Sequence, residues 1–111
     1  MHDRDGSAES SLSVEAGPGG GSVLRLEGVL DFGSVPWLHG KAAHLFDGQS
    51  RVVVDMQGVT HANSAGLALL LEWKRLSDSA GTDMAVRGLP ETLRNIAHMC
   101  ELEPLLPARS D

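Results

Sequence analysis

Cysteine is nearly absent: Cys100 is the only one among 111 residues. No internal disulfide can form, and a structural zinc site would have to be built from histidines and carboxylates alone. A reducing compartment is the simplest setting for such a chain. Basic charge is scarce as well. The 9 Lys and Arg face 15 Asp and Glu, for a formal net charge of -6. That balance argues against nucleic acid as the main partner, because phosphate binding needs a basic face. Long apolar runs are missing too. The run that ends at Leu71 falls far short of the roughly 20 residues that span a bilayer. Direct membrane insertion is therefore not expected, and any link to a membrane goes through another protein or the surface. The start, Met1-His2-Asp3-Arg4-Asp5-Gly6, is polar and acidic and does not read as a signal peptide. There is no internal repeat. No phosphate-cradling motif is present either, since Gly19-Gly20-Gly21 lacks the following Lys and helix.

What is there is an ordinary globular composition, 41% hydrophobic and 22% charged, on a chain long enough for one domain with one modest core. Residues 1–10 read as a disordered leader, residues 11–107 as the domain, and 108–111 as a tail. Leu12, Val14 and Ala16 alternate with polar residues, which predicts a first strand. After the flexible Gly17-Pro18-Gly19-Gly20-Gly21 turn, Leu24, Leu26 and Leu30 predict a second strand paired with it. Ser34 can cap a helix with Pro36 in its first turn. Val35, Leu38, Ala42, Leu45 and Phe46 form its apolar stripe, and Asp47-Gly48 stops it. Arg51 to Met56 predicts a third strand, with Val52-Val53-Val54 implying cover on both faces. A long second helix runs from about Ser64 to Ser79. One stripe is Leu67, Leu70 and Leu71; another, of Leu69, Trp73 and Leu76, needs a neighbouring helix or a partner. Gly81 ends it. Met84, Ala85 and Val86 predict a fourth strand, and Pro90 starts a third helix lined by Leu93, Ile96, Ala97 and Cys100. The apolar stretch Leu102 to Pro107 is expected to pack in extended form. The alternation implies an α/β fold with a mixed sheet and helices packed on it.

The junction of the third strand and second helix holds the chemistry. Ser64 stands where a polar turn becomes a helix, beside free backbone N–H groups and the positive end of the helix dipole. Such a hydroxyl serves as a nucleophile, a phosphate acceptor or a plain cap. Ala62-x-Ser64-x-Gly66 is a degenerate nucleophile elbow, and the order Ser64, Asp83, His98 suits a hydrolase triad. The first elbow glycine is Ala62, however, no oxyanion-loop motif is visible, and the chain is short for that fold. His39 and His44, and likewise His98 and Cys100, do not share a helix face, so a metal site is not expected. His61 beside the turn reads as a solvated turn residue. No cofactor is implied.

Leu24-x-Leu26-x-Gly28-x-Leu30-Asp31, the strand Val52-Val53-Val54-Asp55 and the motif Asn63-Ser64-Ala65-Gly66-Leu67 together resemble the STAS domain. The resemblance covers about residues 23 to 106. That family includes anti-sigma-factor antagonists and the MlaB-type subunit of a phospholipid-transport ABC complex. The run Gly66-Leu67-Ala68-Leu69-Leu70-Leu71, and the stretch from Gly88-Leu89-Pro90 to Leu105-Leu106-Pro107, look most like the MlaB branch. The resemblance implies a STAS fold with a mixed sheet of four to five strands and flanking helices. It implies a non-enzymatic protein of the cytoplasm, held peripherally at the inner membrane by its partner, a MlaF-like ABC transporter ATPase subunit. Ser64 matches the family's phosphoacceptor or partner-contact residue. Asn63, Ala65, Gly66, Leu69 and Trp73 are the accompanying candidates for partner contact. Asn63 stands where the motif usually has Asp, and it keeps a capping oxygen. The alternative reading is an anti-sigma-factor antagonist whose partner is an anti-sigma-factor kinase that phosphorylates Ser64.

Overall fold

Alternation along the strands decides which side of the sheet is buried. In the computed structural model, which describes residues 5–6 and 10–106, strands β1 (Asp5–Gly6), β2 (Ser10–Ala16), β3 (Ser22–Leu30), β4 (Arg51–Ala62) and β5 (Asp83–Arg87) form one sheet. The strands stand in chain order. The pairs β1–β2 and β2–β3 are antiparallel; β3–β4 and β4–β5 are parallel. Leu24 and Leu26 of β3, Val52, Val54 and Met56 of β4, and Met84 and Val86 of β5 share one core with residues of all three helices. Those helices are α1 (Val35–Ala42), α2 (Ser64–Ala80) and α3 (Glu91–Met99). The result is a two-layer mixed α/β fold.

The other sheet face carries Arg25, Val53, Asp55 and Arg87, which lie directly opposite one another along the ladder or two residues apart. Val53 is only half-buried there. The expectation that three valines in a row are covered on both faces is thus corrected, since among the described residues the helices lie on one side. Asp55 is buried nonetheless. Its carboxylate accepts a hydrogen bond from Arg87 Nη2 at 3.1 Å and from the Gln57 N–H at 2.9 Å, with Arg25 Nε at 3.6 Å. A buried charge persists only when paired in this way.

β4 runs six residues past the Met56 at which the sequence suggested it would end. Its second half is polar, but Gly58, Val59, His61 and Ala62 pair with Glu27, Gly28, Val29 and Leu30. Cross-strand pairing outweighs local strand preference here. The register shifts twice along the way, and Gly28 takes the positive φ of 90° that such an irregularity favours. The β5 pairing stops opposite Asp55, so the last part of β4, which leads to α2, pairs with β3 alone among the described strands.

The helices depart from expectation mainly at their ends. Ser34 precedes α1, but its side chain turns back, accepting from the Asp31 N–H at 3.0 Å and donating to the Val29 carbonyl at 2.8 Å. The stripe Leu38, Ala42, Leu45 and Phe46 is buried as expected, although the last two sit on a 3₁₀ turn, Ala43–Phe46. Cys100 follows the end of α3 and is exposed, not part of its apolar stripe. Leu102 and Leu106 pack on the core, while Glu103–Leu105 forms a 3₁₀ turn, not an extended segment. Within the expected leader, Asp5–Gly6 pairs with Ser11 and Leu12 and Ser10 belongs to β2; the other leader positions and the tail 108–111 lie outside the described residues.

Both α2 and α3 end by the same backbone motif with different residues. After α2, Gly81 takes a left-handed φ of 75° and the Thr82 N–H reaches the Ser77 carbonyl. After α3, Glu101 takes φ 57° while the Leu102 N–H reaches the Ala97 carbonyl at 2.7 Å. A side chain in that conformation is strained, and glycine is not. Glu101→Gly should therefore stabilise the fold by about 0.5–1 kcal/mol after allowing for the freer unfolded chain. A urea midpoint that fails to rise would count against this account of the helix end.

Candidate functional site

The end of β4 and the start of α2 are tied to β3. The Asn63 N–H donates to the Leu30 carbonyl at 3.1 Å. Asn63 keeps extended backbone angles, and its side-chain Oδ1 accepts the Ala65 N–H at 2.9 Å. Its carbonyl accepts the Gly66 N–H at 2.9 Å. Asn63 is therefore the cap, and Ser64 is the first helical residue. The plain-cap reading of Ser64 is removed by this geometry. Ser64 is exposed, and its hydroxyl has no hydrogen-bond partner among the described residues. It stands at the positive end of a helix of 17 residues.

Behind Ser64, the side of α2 that carries Ala65, Gly66, Leu69 and Trp73 is buried. Ala65 is buried. Gly66 has no room to spare: a Cβ there would lie 3.3 Å from Leu30 Cβ and 3.4 Å from Leu93 Cδ1. Glycine at this point lets α2 settle onto β3 and α3. Leu69 is 3% exposed and Trp73 0%. The Trp73 ring stacks on Phe46 with centroids 4.8 Å apart, and its indole N–H donates to His39 Nδ1 at 3.0 Å. The second apolar stripe of α2 is closed by α1 and the 3₁₀ turn after it, so Leu69 and Trp73 lie in the core of this chain. The open stripe of α2 is instead Ser64, Ala68 and Arg75, with Leu71 and Glu72 half-buried. Glu72 and Arg75 pair at 2.6 Å. Their hydrogen bond holds the Glu72 carboxyl below its ordinary range and pushes the Arg75 guanidinium up.

Phe32 belongs to this end of the molecule and is not apparent from helical or strand periodicity. It is 72% exposed, in the connection between β3 and α1. The signal available in the sequence was an aromatic residue in a turn, Asp31-Phe32-Gly33-Ser34, where neither period calls for one.

The hydrolase constellation is not assembled. Asp83 pairs with Arg51 at the start of β4, the 12-residue strand that Ser64 follows. His98, exposed near the end of α3, pairs instead with Glu103 at 2.8 Å. His61 is exposed, with Nδ1 3.3 Å from its neighbour Thr60. Among the described residues no group of three His, Cys, Asp or Glu side chains is placed to hold a metal ion. No helix of the described residues is long and apolar enough to cross a membrane.

Residues 13–107 match a protein-family model described as "Mlab, STAS domain". No curated protein of similar sequence is found. Among solved structures, an anti-sigma factor antagonist from Mycobacterium paratuberculosis aligns with a TM-score of 0.80 and 21% identity, covering 96% of this chain and 91% of that one. The anti-sigma factor antagonist SpoIIAA in its unphosphorylated form aligns at 0.69 and 18%, covering 90% and 89%. An antisigma-factor antagonist STAS domain from Rhodobacter sphaeroides aligns at 0.64 and 20%, covering 78% and 98%. At these identities the structures speak for the fold.

Proposed function

The chain belongs to the STAS-domain family, and from that premise we propose that it is a non-enzymatic docking subunit. Its partner is the cytoplasmic ATPase of a phospholipid-transport ABC system of the Mla type, which it binds and supports. The observation that carries the reading is the Ser64 hydroxyl, exposed and without a hydrogen-bond partner among the described residues, on a helix start that Asn63 already caps. The MlaB-type family match over residues 13–107 supports this branch. Contact is made by Ser64 and the open stripe of α2. Asn63, Ala65 and Gly66 hold that surface in shape from beneath. The test is co-expression of the full chain with the ATPase subunit of such a system. A stoichiometric complex, with ATPase turnover that changes when the chain is withdrawn, is the expected result. Two proteins that elute separately and an ATPase indifferent to the chain would sink the reading.

A second reading has its own support. SpoIIAA aligns with this chain both in its unphosphorylated form and in a phosphorylated form. In this reading the chain is an anti-sigma-factor antagonist, and a kinase phosphorylates Ser64. A phosphate there would sit at a helix N-terminus, which accommodates it. Incubation with an anti-sigma-factor kinase and ATP, followed by intact-mass measurement, separates the two. An added phosphate favours the antagonist; an unchanged mass favours the transporter subunit.

A further inference from the structure

Asparagine is rare in this chain: Asn63 and Asn95 are its two asparagines, and they sit in opposite settings. Asn95 is exposed within α3, so its backbone is helical, and the next N–H, that of Ile96, belongs to a helix interior. Asn63 precedes α2 with φ -125° and ψ -167°. The next N–H, that of Ser64, is the first of the helix. It has no acceptor within the helix and none outside it among the described residues. The Asn63 side chain folds back along the chain, where Oδ1 accepts the Ala65 N–H at 2.9 Å. That bond places Cγ beside the peptide joining Asn63 to Ser64. Three features then favour attack of the Ser64 nitrogen on Asn63 Cγ. A five-membered ring needs Cβ and the next nitrogen on one side of the Cα–C bond. The ψ of -167° brings them nearer to that alignment than the helical ψ of about -42° does. The Ala65 N–H polarises the Cγ–Oδ1 bond and faces the charge that develops on the oxygen, as an oxyanion donor does. The positive end of the α2 dipole favours loss of the Ser64 N–H proton.

We propose that Asn63 is a site of spontaneous deamidation, which turns the neutral Asn63-Ser64 turn into an acidic one. The Ser64 nitrogen gives its proton to water and bonds to Asn63 Cγ. The Cγ–Nδ2 bond breaks, and ammonia leaves with a proton returned by water. A second water then opens the cyclic imide. Opening between Cγ and the Ser64 nitrogen gives aspartate; opening between the main-chain carbonyl carbon of residue 63 and that nitrogen gives isoaspartate. In sum one water is consumed and one ammonia released, and no oxidant or reductant is needed. Aspartate caps a helix about as well as asparagine does. That product keeps the fold and sets a unit negative charge beside Ser64. Isoaspartate instead lengthens the main chain by one methylene at the cap and disturbs the first turn of α2. The reaction needs no partner, so it stands apart from the docking reading.

The test incubates the folded full chain in mildly alkaline buffer and follows it by intact mass and fragment mapping. The expected result is exchange of amide for acid at Asn63. Asn95 should exchange roughly tenfold more slowly or less, because the Ile96 N–H must first leave its helical hydrogen bond. A parallel incubation in urea separates the fold from the local sequence. Exchange at Asn63 in the native chain should match or exceed that in the unfolded chain, since the helix start aligns the attack. An Asn63 that exchanges only when the chain is unfolded, or an Asn95 that keeps pace with it, overturns the proposal. Asn63→Asp makes the aspartate product directly and should hold the wild-type Tm. A large fall in its Tm would overturn the part of the proposal in which that product keeps the cap.

Discussion

Replacing Trp73 by alanine should unfold much of the protein at temperatures where the wild type is fully native. Trp73 is the largest fully buried side chain, and three separate interactions converge on it. Its ring area is lost to the core, its stack on Phe46 disappears, and His39 loses the donor that fixes its orientation. Removing a buried Trp costs about 3–5 kcal/mol, and a domain of this size holds roughly 5–15 kcal/mol in total. The expected fall in Tm is on the order of 15–30 °C. Trp73→Phe separates the contributions. It keeps the stack and removes the N–H, so the loss should be smaller, about 1–2 kcal/mol. Thermal melts of the two variants decide the matter. If Trp73→Ala melts within a few degrees of the wild type, α1 is not held to α2 in the way described.

Trp73 also marks where the sequence is readable and where it is not. Period alone found α2 and both of its apolar stripes, because spacing at three and four residues is a property of the chain itself. Which stripe stays open is a property of the neighbours. Only the path of Ala43–Phe46, which folds back across α2, shows that Leu69 and Trp73 are closed over. The same division holds at the site. The start of the strand and the start of the helix were legible between Val52 and Leu71, and so was the oxygen on Asn63 that could cap. That Asn63 takes the cap and leaves Ser64 free depends on backbone angles at one residue. The length of β4 was hidden for a different reason. Gln57 to His61 is polar and reads as a turn, yet β3 offers it a partner strand. Phe32 carried no periodic signal, since its exposure comes from a turn closed by Asp31 and Ser34.

Ser64→Glu should abolish docking while leaving the fold intact. Ser64 occupies the first helical position, where a carboxylate meets the positive end of the α2 dipole and gains about 0.3–1 kcal/mol. No internal hydrogen bond is broken, because the Ser64 hydroxyl makes none with the described residues. Tm should hold or rise slightly, and circular dichroism should not change. A partner seated over this turn faces a different situation. It must bury a new charge without a counter-charge, which costs about 3–5 kcal/mol and weakens binding by on the order of 100-fold or more. Ser64→Ala is the informative companion. It removes one neutral hydroxyl contact, worth about 0.5–1.5 kcal/mol, and should weaken binding tenfold at most. The ratio between the two variants therefore reports the added charge and bulk together, apart from the loss of the hydroxyl. Equal losses from Ala and Glu would mean that the partner needs the hydroxyl itself. A gain with Glu would mean that the partner presents a cation to this turn, and that phosphorylation of Ser64 would recruit it, not release it. An unfolded Ser64→Glu would return Ser64 to a structural role, against the free hydroxyl and the cap already filled by Asn63.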